Sequence, residues 1–174
     1  MPFWNIRRGT QPEHTVGSAA RDVAPVLEPI QIFTAQRHLE GWIVAGGERV
    51  TDLLNQNDTL RVCVDLASDE WASIPREDVL CVAPPERPTH SQRRVHRQKH
   101  LVRALVGPYV VSGTAHLQPG STLDPYLLRT RQQFLPMTNA MLMHRTDPKI
   151  DQQLPVVIIN VANLTELRAL MTVA

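Results

Sequence analysis

The chain is 174 residues long, 43% hydrophobic and 20% charged, with a formal net charge of +1. That length admits one or two domains, and so small a charge excludes a nucleic-acid or membrane partner selected by bulk electrostatics. Three Phe, three Trp and two Tyr are the whole aromatic complement, so any core must be mainly aliphatic.

Residues 1–28 mix Pro, Gly, Ser, Ala and charge without a period, which predicts a flexible N-terminal arm. Within it, Phe3 and Trp4 beside Arg7 and Arg8 form a candidate partner-binding patch. The alternative is that these aromatics cover an apolar edge of their own domain. The opening Met-Pro-Phe-Trp-Asn-Ile-Arg-Arg lacks the apolar centre of a signal peptide. No stretch reaches the roughly 18 apolar residues of a membrane span, so the expectation is a soluble, cytoplasmic protein with no membrane span.

Residues 29–84 read as a first β-rich unit. Ile30 and Ile32 alternate with Gln31, the period of a half-buried strand, and His38–Val44 follows as a second strand. Gly46 and Gly47 supply a turn. Arg49–Asn55 reads as a short helix with Thr51 as cap and Asp52 favoured by the helix dipole. Leu60–Leu66 alternates well, and Trp71–Ile74 and Val79–Ala83 complete the unit. Cys63 and Cys81 lie in apolar strand patterns and are expected as buried free thiols.

Residues 85–100 form a basic, Pro-containing linker. Arg87, Arg93, Arg94, Arg97 and Lys99 are its candidate anion or nucleic-acid contacts. Phosphate contacts of this kind give salt-dependent, sequence-blind affinity, although no stacking aromatics are interleaved with the charges. His96 and His100 are four apart, but no third metal ligand lies nearby in sequence.

Residues 101–174 read as a second unit. Leu101–Val106 and Tyr109–Leu117 are strands, Ser121 to Leu128 a short helix opened by a capping box, Phe134–Met143 strand-like, and Pro155–Val161 a strongly apolar central strand. Asn163–Leu170 is expected as a terminal helix that covers a sheet edge.

The two units share an order of elements. At an offset of 72, Gly41 falls on Gly113, Asp52 on Asp124, Leu39 on Val111 and Ile43 on Ala115. With a few extra residues in the second half, Leu60 falls on Phe134 and Leu80–Ala83 on Ile158–Val161. The expected fold is mainly β with short helices: two tandem barrel-like or meander units related by internal duplication. A Gly inside each second strand marks a bend, a bulge or a close backbone approach.

Thr34, Gly41, Arg49, Asp52, Leu54 and Asn55 in the first unit, and Gly113, Asp124, Leu127, Phe134, Pro136, Thr138 and Asn160 in the second, give each half a resemblance to small bacterial β-rich domains of a family without known function. The first unit lacks the family's Phe-x-Pro-x-Thr strand, and the second has Ser121 where Arg is expected. The resemblance implies two divergent copies of that domain and no activity.

Asp52 and Asp124 are better explained as helix-start residues than as paired catalytic carboxylates, and Asp65, Asp69 and Glu70 as a solvated turn. No nucleophile, phosphate-binding or metalloprotease motif is present. No cofactor, metal or small-molecule ligand is inferred. The expectation is therefore a non-enzymatic protein-binding or assembly module, with self-association favoured by the small cores. The alternative is a nucleic-acid-associated small-barrel protein that uses the linker.

Overall fold

A computed structural model of the chain describes residues 26–85, 97–120, 123 and 133–173. Phe3, Trp4, Arg7, Arg8, Arg87, Arg93, Arg94 and Asp124 lie outside the described residues. In the first half the elements are β1 (Leu27–Phe33), β2 (His38–Val44), α1 (Val50–Gln56), β3 (Thr59–Asp65), β4 (Glu70–Pro75), a 3-10 turn at Arg76–Asp78, and β5 (Cys81–Ala83). In the second half they are β6 (Gln98–Val106), β7 (Tyr109–Leu117), β8 (Phe134–His144), a 3-10 turn at Pro148–Ile150, β9 (Gln152–Asn160), a 3-10 turn at Val161–Asn163, and β10 (Leu164–Val173).

All ten strands join one antiparallel sheet in the order β10-β6-β7-β8-β9-β5-β1-β2-β3-β4. The expected barrels are not formed. In the first half β5 spends its outer side on β9 of the second half rather than on β4, so the strand that could have closed a barrel instead makes a seam between the halves.

Within each half the strands follow the same order, with the fifth strand beside the first and the fourth at the far end. The registers agree as well. Gly41 lies opposite Ile30 and Gly113 opposite Val102, so both strands are displaced by 72 positions (113 − 41 and 102 − 30). Phe33 lies opposite Cys81 and Leu105 opposite Glu166. This pairing corrects one match drawn from the sequence. Leu80–Ala83 corresponds by position to the start of β10, not to Ile158–Val161, which belong to the fourth strand and its end. The two segments look alike because both line the seam.

The seam is buried on both faces. Cys81, Ala83, Val157 and Ile159 belong to the core of the second half, while Val82 and Ile158 belong to the core of the first. A strand covered on both faces gains nothing from alternation, and so Val79 to Ala83 are five consecutive buried residues.

Both mid-strand glycines answer a close approach. A Cβ on Gly41 would sit 2.5 Å from the Cys63 carbonyl oxygen and 2.6 Å from Val62 Cγ1 of β3, and one on Gly113 would sit 3.1 Å from Ala140 and from the Thr138 carbonyl oxygen of β8. The β2–β3 ladder has shrunk to the single pair Trp42–Cys63, and the β7–β8 register shifts at Gly113. In each half, then, the third strand comes close to the second where a side chain would stand in the way, and the ladder between them is interrupted there.

Two local expectations are corrected. Thr51 does not cap α1: Arg49 holds the cap position with no side-chain bond, and the Thr51 carbonyl instead accepts from the Asn55 side chain at 2.7 Å. Asn163–Leu170 is not a helix: Asn163 closes the preceding 3-10 turn and Leu164–Leu170 begins β10, paired with β6. Its Leu164 and Leu167, three apart, share a face because Thr165 is an extra, bulged residue between the pairs Leu164–Val106 and Glu166–Leu105. A bulge adds one residue to the strand's period of two and so imitates helical spacing. Of the expected helix in the second unit, only Leu123 is described; it is helical and buried.

Candidate functional site

Two features of the described residues are open to other molecules: the outer edges of the sheet and a cationic cleft at the junction of the halves. Both follow from how the seam is made.

The seam is held by two asparagines and a tyrosine. Asn160 is fully buried. Its backbone N–H donates to the Leu80 carbonyl and its side-chain amide to the Val79 carbonyl, each at 2.9 Å. Its side-chain oxygen accepts from Ala162 N–H at 3.0 Å and from the Gln133 side chain at 3.3 Å. Asn55 of α1 accepts the Gln133 N–H at 2.9 Å. Tyr109 donates its hydroxyl to the Thr34 carbonyl at 2.8 Å while its ring meets the edge of Phe33. Burial, aided by the neighbouring Cys81, pushes the Tyr109 hydroxyl up to about 12. The Cys81 thiol is likewise pushed up by burial, and both cysteines are buried free thiols.

Among the described residues, β10 has no neighbour beyond β6, and β4 has none beyond β3. β10 presents Leu170 and Met171 at 54% and 61% exposure, and Glu166 and Arg168 form an ion pair along it. On the opposite edge, Trp71 of β4 donates its ring N–H to Asp69 at 2.7 Å and lies under the Arg61 guanidinium, 5.1 Å from its centroid. A cavity of about 450 Å³ lined by Ile43, Val44, Leu60, Arg61 and Trp71 opens beside this edge. The acidic run before β4 is turn chemistry. Asp65 accepts from Ser68 at 2.7 Å and Ala67 at 2.8 Å, which together hold its carboxyl below the ordinary range, and Asp69 takes a left-handed conformation.

The cleft, about 250 Å³, lies between the start of α1 and the second half, with Arg49, Asp52, Arg97, His116 and Thr138 on its walls. His116 Nε2 is 2.8 Å from the Thr138 hydroxyl. Its ring is held below its usual pKa by burial first and then by Lys99 and Arg97. Of the predicted linker contacts, Arg97 lines this cleft and Lys99 is exposed on β6 beside it. In the sequence Arg49 stands out only as a helix-start and resemblance residue, and His116 does not stand out at all. No sequence pattern could have placed them in one cleft, because they come from halves whose docking the sequence does not state.

Among the described residues no three His, Cys, Asp or Glu side chains gather as a metal site, and no helix is long and apolar enough to cross a membrane. The chain matches no family model, no curated protein and no solved structure.

Proposed function

We propose that this protein is a non-enzymatic assembly module that binds partner strands along the free edges of its sheet. The observation that carries the reading is the ten-strand sheet, open at both ends among the described residues, with Leu170 and Met171 exposed on one edge. An unpaired edge is a row of N–H and C=O groups ready to take another strand, and proteins that do not use such edges blunt them. Pro75 ends β4; β10 carries bulges at Thr165 and Leu170 and the charged pair Glu166–Arg168, yet it runs ten residues with an apolar stretch at Ala169–Met171.

The two halves are read as divergent copies of one duplicated unit. This is supported by their common strand order, their common displacement of 72 positions across the first two strands and the like surroundings of Gly41 and Gly113. The resemblance to the bacterial domain family is consistent with this reading.

The edge reading is tested in native extract. Full-length protein should run in a complex, and Leu170→Lys with Ala169→Lys should release it at the monomer mass while the circular dichroism of the purified variant stays that of wild type. A complex indifferent to both edges would sink the reading.

One observation favours a second reading. Arg49 and Arg97 line one cleft with Lys99 nearby and outnumber the one carboxylate there, Asp52, which suits an anionic strand. Titration of generic RNA and DNA binding against salt decides it: binding should weaken steeply as salt rises, and absence of binding at low salt removes it.

A further inference from the structure

We infer that the two free edges are complementary to each other, so that β10 of one copy pairs with β4 of the next and the chain assembles head to tail. This rests on the edge-binding reading above and names its partner, a second copy of this chain.

The template is inside the molecule. At the seam, the fifth strand of the first half pairs antiparallel with the fourth strand of the second half, as Cys81–Ile159 and Val82–Ile158. What remains free among the described residues is the other member of each kind: a fifth strand, β10, and a fourth strand, β4. The register carries over without adjustment. Cys81 and Glu166 hold the same place opposite the first strand of their halves, through Phe33 and Leu105. Trp42 pairs with Cys63 and Thr114 with Thr138, which sets Leu60 on Leu135, one place beyond the match with Phe134 drawn from the sequence. Ile74 lies opposite Leu60 and Ile159 opposite Leu135. The seam repeated between copies therefore pairs Glu166 with Ile74, Leu167 with Ser73 and Ala169 with Trp71.

A second observation agrees. Across the seam α1 packs against β8, and the space under it is walled by His116, Leu135 and Pro136. Their counterparts, 72 and 75 positions earlier, are Val44, Leu60 and Arg61, and these line the open cavity beside β4. The surface that α1 covers on the second half thus has an open cavity as its counterpart on the first, with Leu60 buried at its base, Val44 exposed, and Leu53 and Asn57 also on its walls.

The repeated contact is weaker than the seam. Pro75 stands where Asn160 stands and has no N–H to give, so the bond from Asn160 to Leu80 and the asparagine's side-chain bonds have no equivalent. Glu166 replaces Cys81. The assembly is accordingly one that dissociates on dilution. A contact between unlike surfaces makes closed rings when its rotation divides the circle and filaments when it does not.

The test uses full-length purified protein and two edge variants. One carries Ala72→Lys and Ser73→Lys on β4; the other carries Ala169→Lys and Leu170→Lys on β10. Wild type should show a mass that is a multiple of 19.6 kDa and falls on dilution. Each variant alone should be a monomer. An equimolar mixture should give one-to-one heterodimers and nothing larger, because one intact β10 and one intact β4 remain. Wild type that stays monomeric, a β4 variant that still self-associates, or a mixture that fails to pair overturns the proposal. Circular dichroism and a cooperative melt check each fold, and Ser73→Lys and Leu170→Lys singly replace any double variant that fails to fold. A monomeric purified protein whose complex in extract still depends on the edges would sink self-pairing and leave edge binding standing.

Discussion

Several residues that carried the resemblance drawn from the sequence serve the backbone. Thr34 closes the β1–β2 turn by bonding to the Arg37 carbonyl and N–H at 3.0 and 3.1 Å. Gly41 and Gly113 admit the neighbouring strand. Gly41→Ala should cost about 1–3 kcal/mol as an overpacking change against main chain, and Gly113→Ala less, since its nearest neighbour is 3.1 Å away; urea midpoints with unchanged slopes would check both. Protonation is the second lever at this scale. Burial lowers the pKa of His38 against the opposing pull of Glu40, and burial with Lys99 and Arg97 lowers that of His116. The fold therefore favours the neutral rings, and the unfolded chain binds more protons near and below 6.5. Stability from these groups is present above 6.5 and is lost as pH falls below it. Tyr109 works in the other direction: its contribution is present below pH 10 and is lost as pH rises toward about 12. Denaturation midpoints followed across both windows should decline at each end, and Tyr109→Phe should flatten the alkaline limb.

At the scale of elements, the decisive contact is the junction of β5 and β9. Asn160→Ala removes the amide that satisfies the buried Val79 carbonyl and should cost about 1–3 kcal/mol, whereas Asn163→Ala, exposed and bonded at 3.4 Å, should cost little; thermal melts of the pair make the comparison. This junction also explains what could be read from the residues alone. β1, β2 and β3 were legible because one face is wet and alternation survives, as at Ile30-Gln31-Ile32. β4 and β5 were legible as apolar segments, and of the bend, bulge or close approach expected at the two glycines, the close approach is found. β10 was not, because its bulge gives Leu164 and Leu167 helical spacing. The pairing of β5 with β9 was not legible either, because a run such as Val-Leu-Cys-Val-Ala states that both faces are covered without stating by what. The same gap hid the cleft that Arg49 and His116 line together once the halves are docked.

At the scale of the whole molecule, the two cores are not independent. Phe33, Leu80, Cys81 and Ala83 come from the first half yet belong to the core of the second, and Phe134 and Ile158 make the reverse exchange. Neither half can lose its packing without exposing apolar residues of the other. Urea unfolding should therefore give one transition, coincident by tryptophan fluorescence and far-ultraviolet circular dichroism; two separated transitions would contradict the shared cores.

This reciprocity has a practical consequence for the gene. If the coding sequence were divided between codons 85 and 97, each product made alone would carry a strand meant to be sandwiched, and should precipitate or be degraded. Made together, the two polypeptides should find each other, co-purify from a tag on either one, and separate only under denaturant, so that peptide continuity between them is dispensable once both exist.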